Sequence, residues 1–160
     1  MKEQLETLAY LTAILGSIFG ALIFVVRCRS ASISNLREAL ANEWTNEGDI
    51  SQDLSPFVNL KLSIEDGDLF GTIRSSSEDH DLEAHVDVHW GWAKLRVTRL
   101  LGRNLFPVAT VVLRLTGNRN QLTWLAIRRQ EASLFPRRSE LWPVPAAARA
   151  RPNRAYQSGR

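Results

Sequence analysis

The sequence predicts a mainly β chain carried on a membrane stalk. One apolar N-terminal helix is followed by a short amphipathic helix and then by a small antiparallel meander β-barrel, with an open sheet or sandwich as the alternative. Three observations predict this. Thr7 to Val26 is a run of twenty residues without a formal charge. From Val58 the apolar residues recur at every second position. Turn-forming clusters such as Asp66-Gly67-Asp68 and Gly117-Asn118-Arg119-Asn120 punctuate the alternating runs.

The first element is a transmembrane helix over residues 7–26. At ~1.5 Å per residue, twenty helical residues span about 30 Å, the hydrocarbon thickness of a bilayer. A cleaved signal would have a basic leader and a shorter apolar run. Here Lys2 sits beside Glu3 and Glu6, the run is long, and Arg27 and Arg29 follow it. Arg27 also precedes Cys28, where a lipoprotein signal would place a small residue. The basic flank of Arg27, Arg29 and Arg37 orients the chain, so the β-domain and C-terminus are expected in the cytoplasm. In a bacterium this would be the inner membrane. Gly16 and Gly20 form a G-x-x-x-G pair, which lets a second helix backbone approach closely, so a homo-oligomer is expected.

The second element is an amphipathic linker helix over residues 30–44. Ser34 is a capping residue type, and Ile33, Leu36, Leu40 and Trp44 share one helical face. The β-domain occupies 45–142. Val58, Leu60, Leu62 and Ile64 alternate with polar residues, and Leu69 to Ser75 returns as a second strand. Leu82, Ala84, Val86, Val88 and Trp90 alternate with Glu83, His85, Asp87 and His89; Ala93, Leu95 and Val97 continue on the next strand. Phe106 to Thr116 and Gln121 to Arg129 complete six strands, and Trp44 to Ser51 and Ser133 to Trp142 offer one more at each end. Closure into a barrel would remove the exposed edges of an open meander. The last hairpin is apolar on both faces, with Val108 and Val112 opposed to Ala109 and Val111. That pattern calls for a cover, and the linker helix is the nearest candidate in sequence. Residues 143–160 lack apolar periodicity and read as a disordered basic tail.

Charge is unevenly divided. Residues 30–127 carry nine basic and thirteen acidic side chains, whereas 128–160 carry eight and two. The basic character therefore lies in the tail, which argues against duplex nucleic acid as a partner of the β-domain. Cys28 is the single cysteine, so no internal disulfide braces the fold. No G-x-S-x-G, G-x-x-x-x-G-K-[ST] or G-x-G-x-x-G stretch is present, and the reading is a binding module with no cofactor and no catalytic residues.

Two constellations could carry chemistry. His85, Asp87 and His89 would project from one face of a strand. The two imidazoles lie about 13 Å apart along an extended strand, too far to share one ion, so no metal site is expected. The second set comprises Arg74, Trp90, Trp92, Arg96, Arg99, Arg114 and Trp124. Guanidinium forks suit phosphates and indoles stack on bases, so these are the candidate ligand-binding residues, set against a reading in which the tryptophans fill the core.

The order of an apolar span at Thr7 to Val26 and a β-meander from Phe57 to Arg129 resembles the membrane-anchored β-barrel effectors of bacterial cyclic-oligonucleotide anti-phage defence. The resemblance is one of architecture over residues 7–142, and no residue role carries over by motif. It implies a cytoplasmic barrel that binds a nucleotide second messenger and drives oligomerisation in the membrane. The bottom-up expectation is broader: a membrane-anchored β-domain that senses or docks something. The alternatives are a tethered assembly factor with a protein partner and, third, a metal-dependent enzyme using His85, Asp87 and His89.

One prediction follows from the helix alone. Gly16→Ile combined with Gly20→Ile should weaken self-association severalfold in a membrane two-hybrid assay, because bulky side chains hold backbones apart. Unchanged association would move the contact elsewhere.

Overall fold

The structure, a computed structural model, describes residues 2–47, 56–78, 80–118 and 120–145, with helix side chains from Ile14 onward. One helix, α1 (Lys2–Leu40), leads into eight strands. These are β1 (Glu43–Thr45), β2 (Val58–Glu65), β3 (Asp68–Ser75), β4 (Leu82–His89), β5 (Trp92–Leu101), β6 (Asn104–Leu115), β7 (Leu122–Arg129) and β8 (Arg138–Pro143). Each strand runs antiparallel to the next, and β1 also pairs with β8, so the meander closes into a barrel. Closure leaves no open sheet edge along the meander.

The two helices expected from the sequence are one. α1 runs for 39 residues without a break. Ser30 is a capping residue type, yet its hydroxyl donates to Arg27 O of its own helix at 2.9 Å. The helix ends at Leu40, four residues short of Trp44. There Ala41 N bonds Arg37 O and Asn42 N bonds Leu40 O, at 3.0 and 2.7 Å. Trp44, expected on the apolar helix face, lies instead on β1 with its side chain inside the barrel.

Alternation sets the strand faces as read. Leu60, Leu62, Leu69, Ile73, Leu82, Val86, Leu95 and Leu113 point inward and are buried. Lys61, Thr72, Glu83 and Arg96 point outward and are exposed. This is the reverse of a membrane-spanning barrel, whose outer face is apolar. The tight turns have the needed backbone: Asp66 and Gly67 both have positive φ, at 52° and 85°, which suits a two-residue hairpin. Gly71 is held by packing. A Cβ there would lie 1.8 Å from the Lys61 carbonyl oxygen, so only glycine lets β2 and β3 approach so closely.

The last hairpin explains its two apolar faces by bulges. Val97 pairs with Ala109 and Thr98 with Pro107, so Val108 is an extra residue on β6 and turns inward beside Ala109. Thr110 pairs with Arg128 and Val111 with Ala126, so Ile127 is extra on β7 and stays outside beside Arg128. No cover over this hairpin is needed to bury Val108. Leu36 and Leu40 of α1 pack against one end of the core instead. The β7–β8 loop seals the opposite end with Leu134, Phe135 and Pro136, all buried.

The barrel interior is thus filled by side chains. Trp44, Trp124, Phe135, Leu60, Leu69, Ile73, Leu95, Leu113, Leu122 and Leu141 are all below 2 % exposed. Each large apolar side chain so buried contributes about 1.5–3 kcal/mol. The strand expected over Trp44 to Ser51 is realised as β1, and residues 48–55 lie outside the described residues. So does the expected tail from 146 onward.

Helix and barrel are joined through Trp44. Its Nε1 donates to Leu40 O at 3.0 Å, satisfying one of the carbonyls a helix end leaves unpaired. Leu62 N bonds Asn42 O at 2.9 Å, and Arg37 donates to Gly67 O at 2.8 Å. Trp44→Phe keeps most of the volume but removes the buried bond. It should lower stability by about 1–3 kcal/mol in a urea melt of the detergent-solubilised full chain. An unchanged midpoint would show the bond to be dispensable.

Candidate functional site

With the interior filled, any site among the described residues lies on the outer surface or along the helix. The two constellations expected from sequence are placed very differently.

His85 and Asp87 do meet on the outer face of β4. His85 Nε2 lies 3.2 Å from Asp87 Oδ1, and Arg96 of β5 reaches Asp87 Oδ2 at 3.1 Å. Phe70 of β3 packs on the His85 ring with centroids 4.7 Å apart. His89 is elsewhere, stacked on Trp92 at 4.2 Å. Among the described residues no three His, Cys, Asp or Glu side chains gather as metal ligands. Asp87 holds an imidazole and a guanidinium together, an arrangement that orders a polar surface.

The arginine and tryptophan set is spread around the barrel. Trp124 is in the core, where its Nε1 donates to Pro136 O at 3.0 Å and its ring lies 5.9 Å from Phe135. Trp90 is at the tip of the β4–β5 turn and 68 % exposed. Arg74 on β3 pairs with Asp81 at 2.7 Å. Arg96 serves Asp87, and Arg114 is exposed on β6 opposite Thr123. Arg99 on β5 is bracketed by Glu131 at 2.8 Å and by Glu78. These residues do not converge. Of the set, only Arg96 lines a surface groove of about 540 Å³ whose walls include Phe70, Glu83, His85, Thr98 and Leu105.

Two features escaped the sequence reading. The first is the tip of the β5–β6 hairpin. β5 and β6 stay paired out to Leu101 and Asn104, with Leu100 opposite Leu105 and Arg99 opposite Phe106. Leu100, Leu101, Leu105 and Phe106 are all exposed there, Leu105 by 57 %. The signal was present: the adjacent apolar pairs Leu100-Leu101 and Leu105-Phe106 on the two sides of Gly102-Arg103 break the alternation that a half-buried strand would show. Leu125 and Ile127 add exposed apolar surface on β7.

The second is the Glu78–Arg99–Glu131 triad, which ties the β3–β4 and β7–β8 loops to β5. The hydrogen bond to Glu131, more than any other influence, raises the Arg99 pKa above its ordinary value. Long-range pairings of this kind leave no local sequence mark.

On the helix, Gly16 and Gly20 have open space around them, with nothing within 4 Å of where a Cβ would sit. Residues Ile14–Leu40 form a segment long and apolar enough to cross a bilayer, and none of the apolar window is buried.

The triad gives a prediction. Glu78 has a side chain only 19 % exposed, so Arg99→Leu strands it without its countercharge. Stability should fall by about 1–3 kcal/mol, and adding Glu78→Gln should recover part of the loss. Simple additivity in a double-mutant cycle would mean that the two side chains act independently.

Compared with known proteins, the chain matches no family model, no curated protein and no solved structure.

Proposed function

We propose that this chain is a single-pass, membrane-anchored β-barrel that presents its outer surface to a protein partner, as a tethered docking or assembly factor. The observation that carries this reading is the exposed hairpin tip of Leu100, Leu101, Leu105 and Phe106. Water-exposed leucine and phenylalanine clustered on a protruding hairpin are costly unless something covers them. Leu125 and Ile127 form a separate exposed apolar pair further along β7.

The anchor is α1, whose uncharged stretch is surrounded by exposed Ile14, Leu15, Ile18, Phe19, Leu22 and Phe24. The basic flank at Arg27, Arg29 and Arg37 puts the barrel in the cytoplasm, and Gly16 and Gly20 offer the face for a homo-oligomer. The nucleotide-sensor version has less to draw on. Three of its four arginines, Arg74, Arg96 and Arg99, are engaged by Asp81, Asp87, Glu78 and Glu131, and Trp124 is sealed in the core.

Two measurements test the proposal. A phosphatase fused after Arg160 should be inactive in a bacterial host, since that enzyme works only outside the cytoplasm. A photo-crosslinking amino acid at Leu101, in membranes of cells expressing the full chain, should yield one discrete adduct that an equivalent label at Glu65 does not. Leu101→Asp with Leu105→Asp should abolish the adduct formed from Leu100 while leaving the unfolding midpoint unchanged. Identical adduct patterns from positions 101 and 65 would reject the hairpin as the docking surface.

A further inference from the structure

The barrel hangs from α1 asymmetrically. Its helix-proximal end carries three turns: β2–β3 at Asp66-Gly67, β4–β5 at Trp90-Gly91 and β6–β7 after Leu115. The first meets the helix low, where Arg37 donates to Gly67 O and lies 3.9 Å from Asp68. The other two reach higher. Gly91, Leu115 and Gly117 share a groove with a stretch of helix that begins at Cys28. Cys28 is the second residue beyond the apolar run, whose last member is Val26. Arg37 is nine residues further on, about 14 Å along the helix.

From this tilt we infer that the β4–β5 turn rests in the headgroup layer of the membrane, with Trp90 as its interfacial anchor. The inference rests on α1 being the membrane anchor. Three observations carry it. The turn shares with α1 a groove that starts at Cys28, just beyond the apolar run, and the headgroup layer is several ångströms thick on each side. Trp90 is the most exposed tryptophan at that end and has no cover, and indole is the side chain that favours the water–hydrocarbon boundary. The charges agree as well. Arg27 and Arg29 lie at the high side, whereas Glu65, Asp66 and Asp68 gather at the low turn, held off the lipid surface. A barrel seated this way is oriented by two points, the helix and Trp90. Its apolar β5–β6 hairpin, at the opposite end, then points away from the bilayer.

The test uses the full chain in phosphatidylcholine vesicles, with and without anionic phosphatidylglycerol. Environment-sensitive dyes are placed on single cysteines at Ile18, Asp68 or Trp90, each with Cys28→Ser. The dye at 18 should be shielded in the hydrocarbon and the dye at 68 fully open to aqueous iodide. The dye at 90 should be quenched by iodide about threefold less than at 68, and quenched strongly by headgroup-labelled lipid. Intrinsic emission gives a second readout: brominated lipid should quench the native chain more than Trp90→Phe. Position 90 as open as 68, with 18 shielded, overturns the seating while leaving the anchor intact. Position 18 open to iodide overturns the anchor and the seating together.

Discussion

Everything in this molecule depends on how the barrel closes. The closing strand β1 is only three residues long, Glu43–Thr45, yet it must pair with both β2 and β8. It has two residues, Ala41 and Asn42, in which to leave the helix. That shortness forces Trp44 inside and brings its indole against Leu40 O, so one side chain both fills the core and terminates α1. Where the ladder of β1 stops, Asn46 replaces it. Its side chain accepts from Val58 N at 2.6 Å and donates to Ser139 Oγ at 3.2 Å, bridging β2 and β8 where a longer strand would have run. Such a buried amide is tolerable because these partners satisfy it on both sides.

A barrel closed so tightly has little left inside. Leu36 and Leu40 stop one end, Leu134 and Phe135 the other, and Ser75 fixes the second stopper by donating its hydroxyl to Leu134 O. Larger barrels use their interior for ligands; an eight-stranded one has just room for its own side chains or for one small guest. Here the two tryptophans and the phenylalanine take that room. The docking proposed for this chain therefore falls to the outer face and to the β5–β6 hairpin. β5 and β6 are the longest strands, at 10 and 12 residues, and their ends run on past the bulge at Val108.

How much of this was legible follows from which signals are local. Strict alternation at 58–62, 82–88 and 93–97 sets the faces of β2, β4 and β5 directly, because each of these apolar residues points at one core; Ile64, at the end of β2, is exposed. The edge argument favoured a barrel without naming the strand that closes it. β1 is too short to show a period, and Trp44 falls four residues after Leu40, a spacing that fits a helix equally well. The break between the two expected helices failed for a related reason: Ser34 looks like a cap, but a serine inside a helix can bond its own preceding turn, as Ser30 does with Arg27 O. Bulges are invisible to alternation by nature, since each shifts the phase by one residue. Val108 therefore read as part of a second apolar face, whereas Val112, paired with exposed Leu125, does lie outside. The candidate site was less legible still. Arg74, Arg96 and Arg99 were correctly seen as guanidinium groups on strands, but their carboxylate partners sit 7, 9 and 32 residues away in sequence.

The short junction also decides how the two halves of the chain can communicate. A flexible linker would let the barrel tumble beside its anchor, and nothing that happened in the membrane would reach it. Here only Ala41 and Asn42 separate α1 from β1, and backbone bonds from Asn42 and Leu62 plus the Arg37 contact to Gly67 fix the crossing. Rotation or tilt of the helix must therefore carry the whole barrel with it. The β5–β6 hairpin, at the far end, is the part that such a rotation sweeps furthest. Conversely, a partner of the kind proposed, gripping that hairpin, would apply its torque to the helix through a stiff barrel and a two-residue joint. Coupling of this kind needs no conformational change within the barrel, only a change in how the whole body is held, and a filled core is better suited to that task than to opening around a ligand.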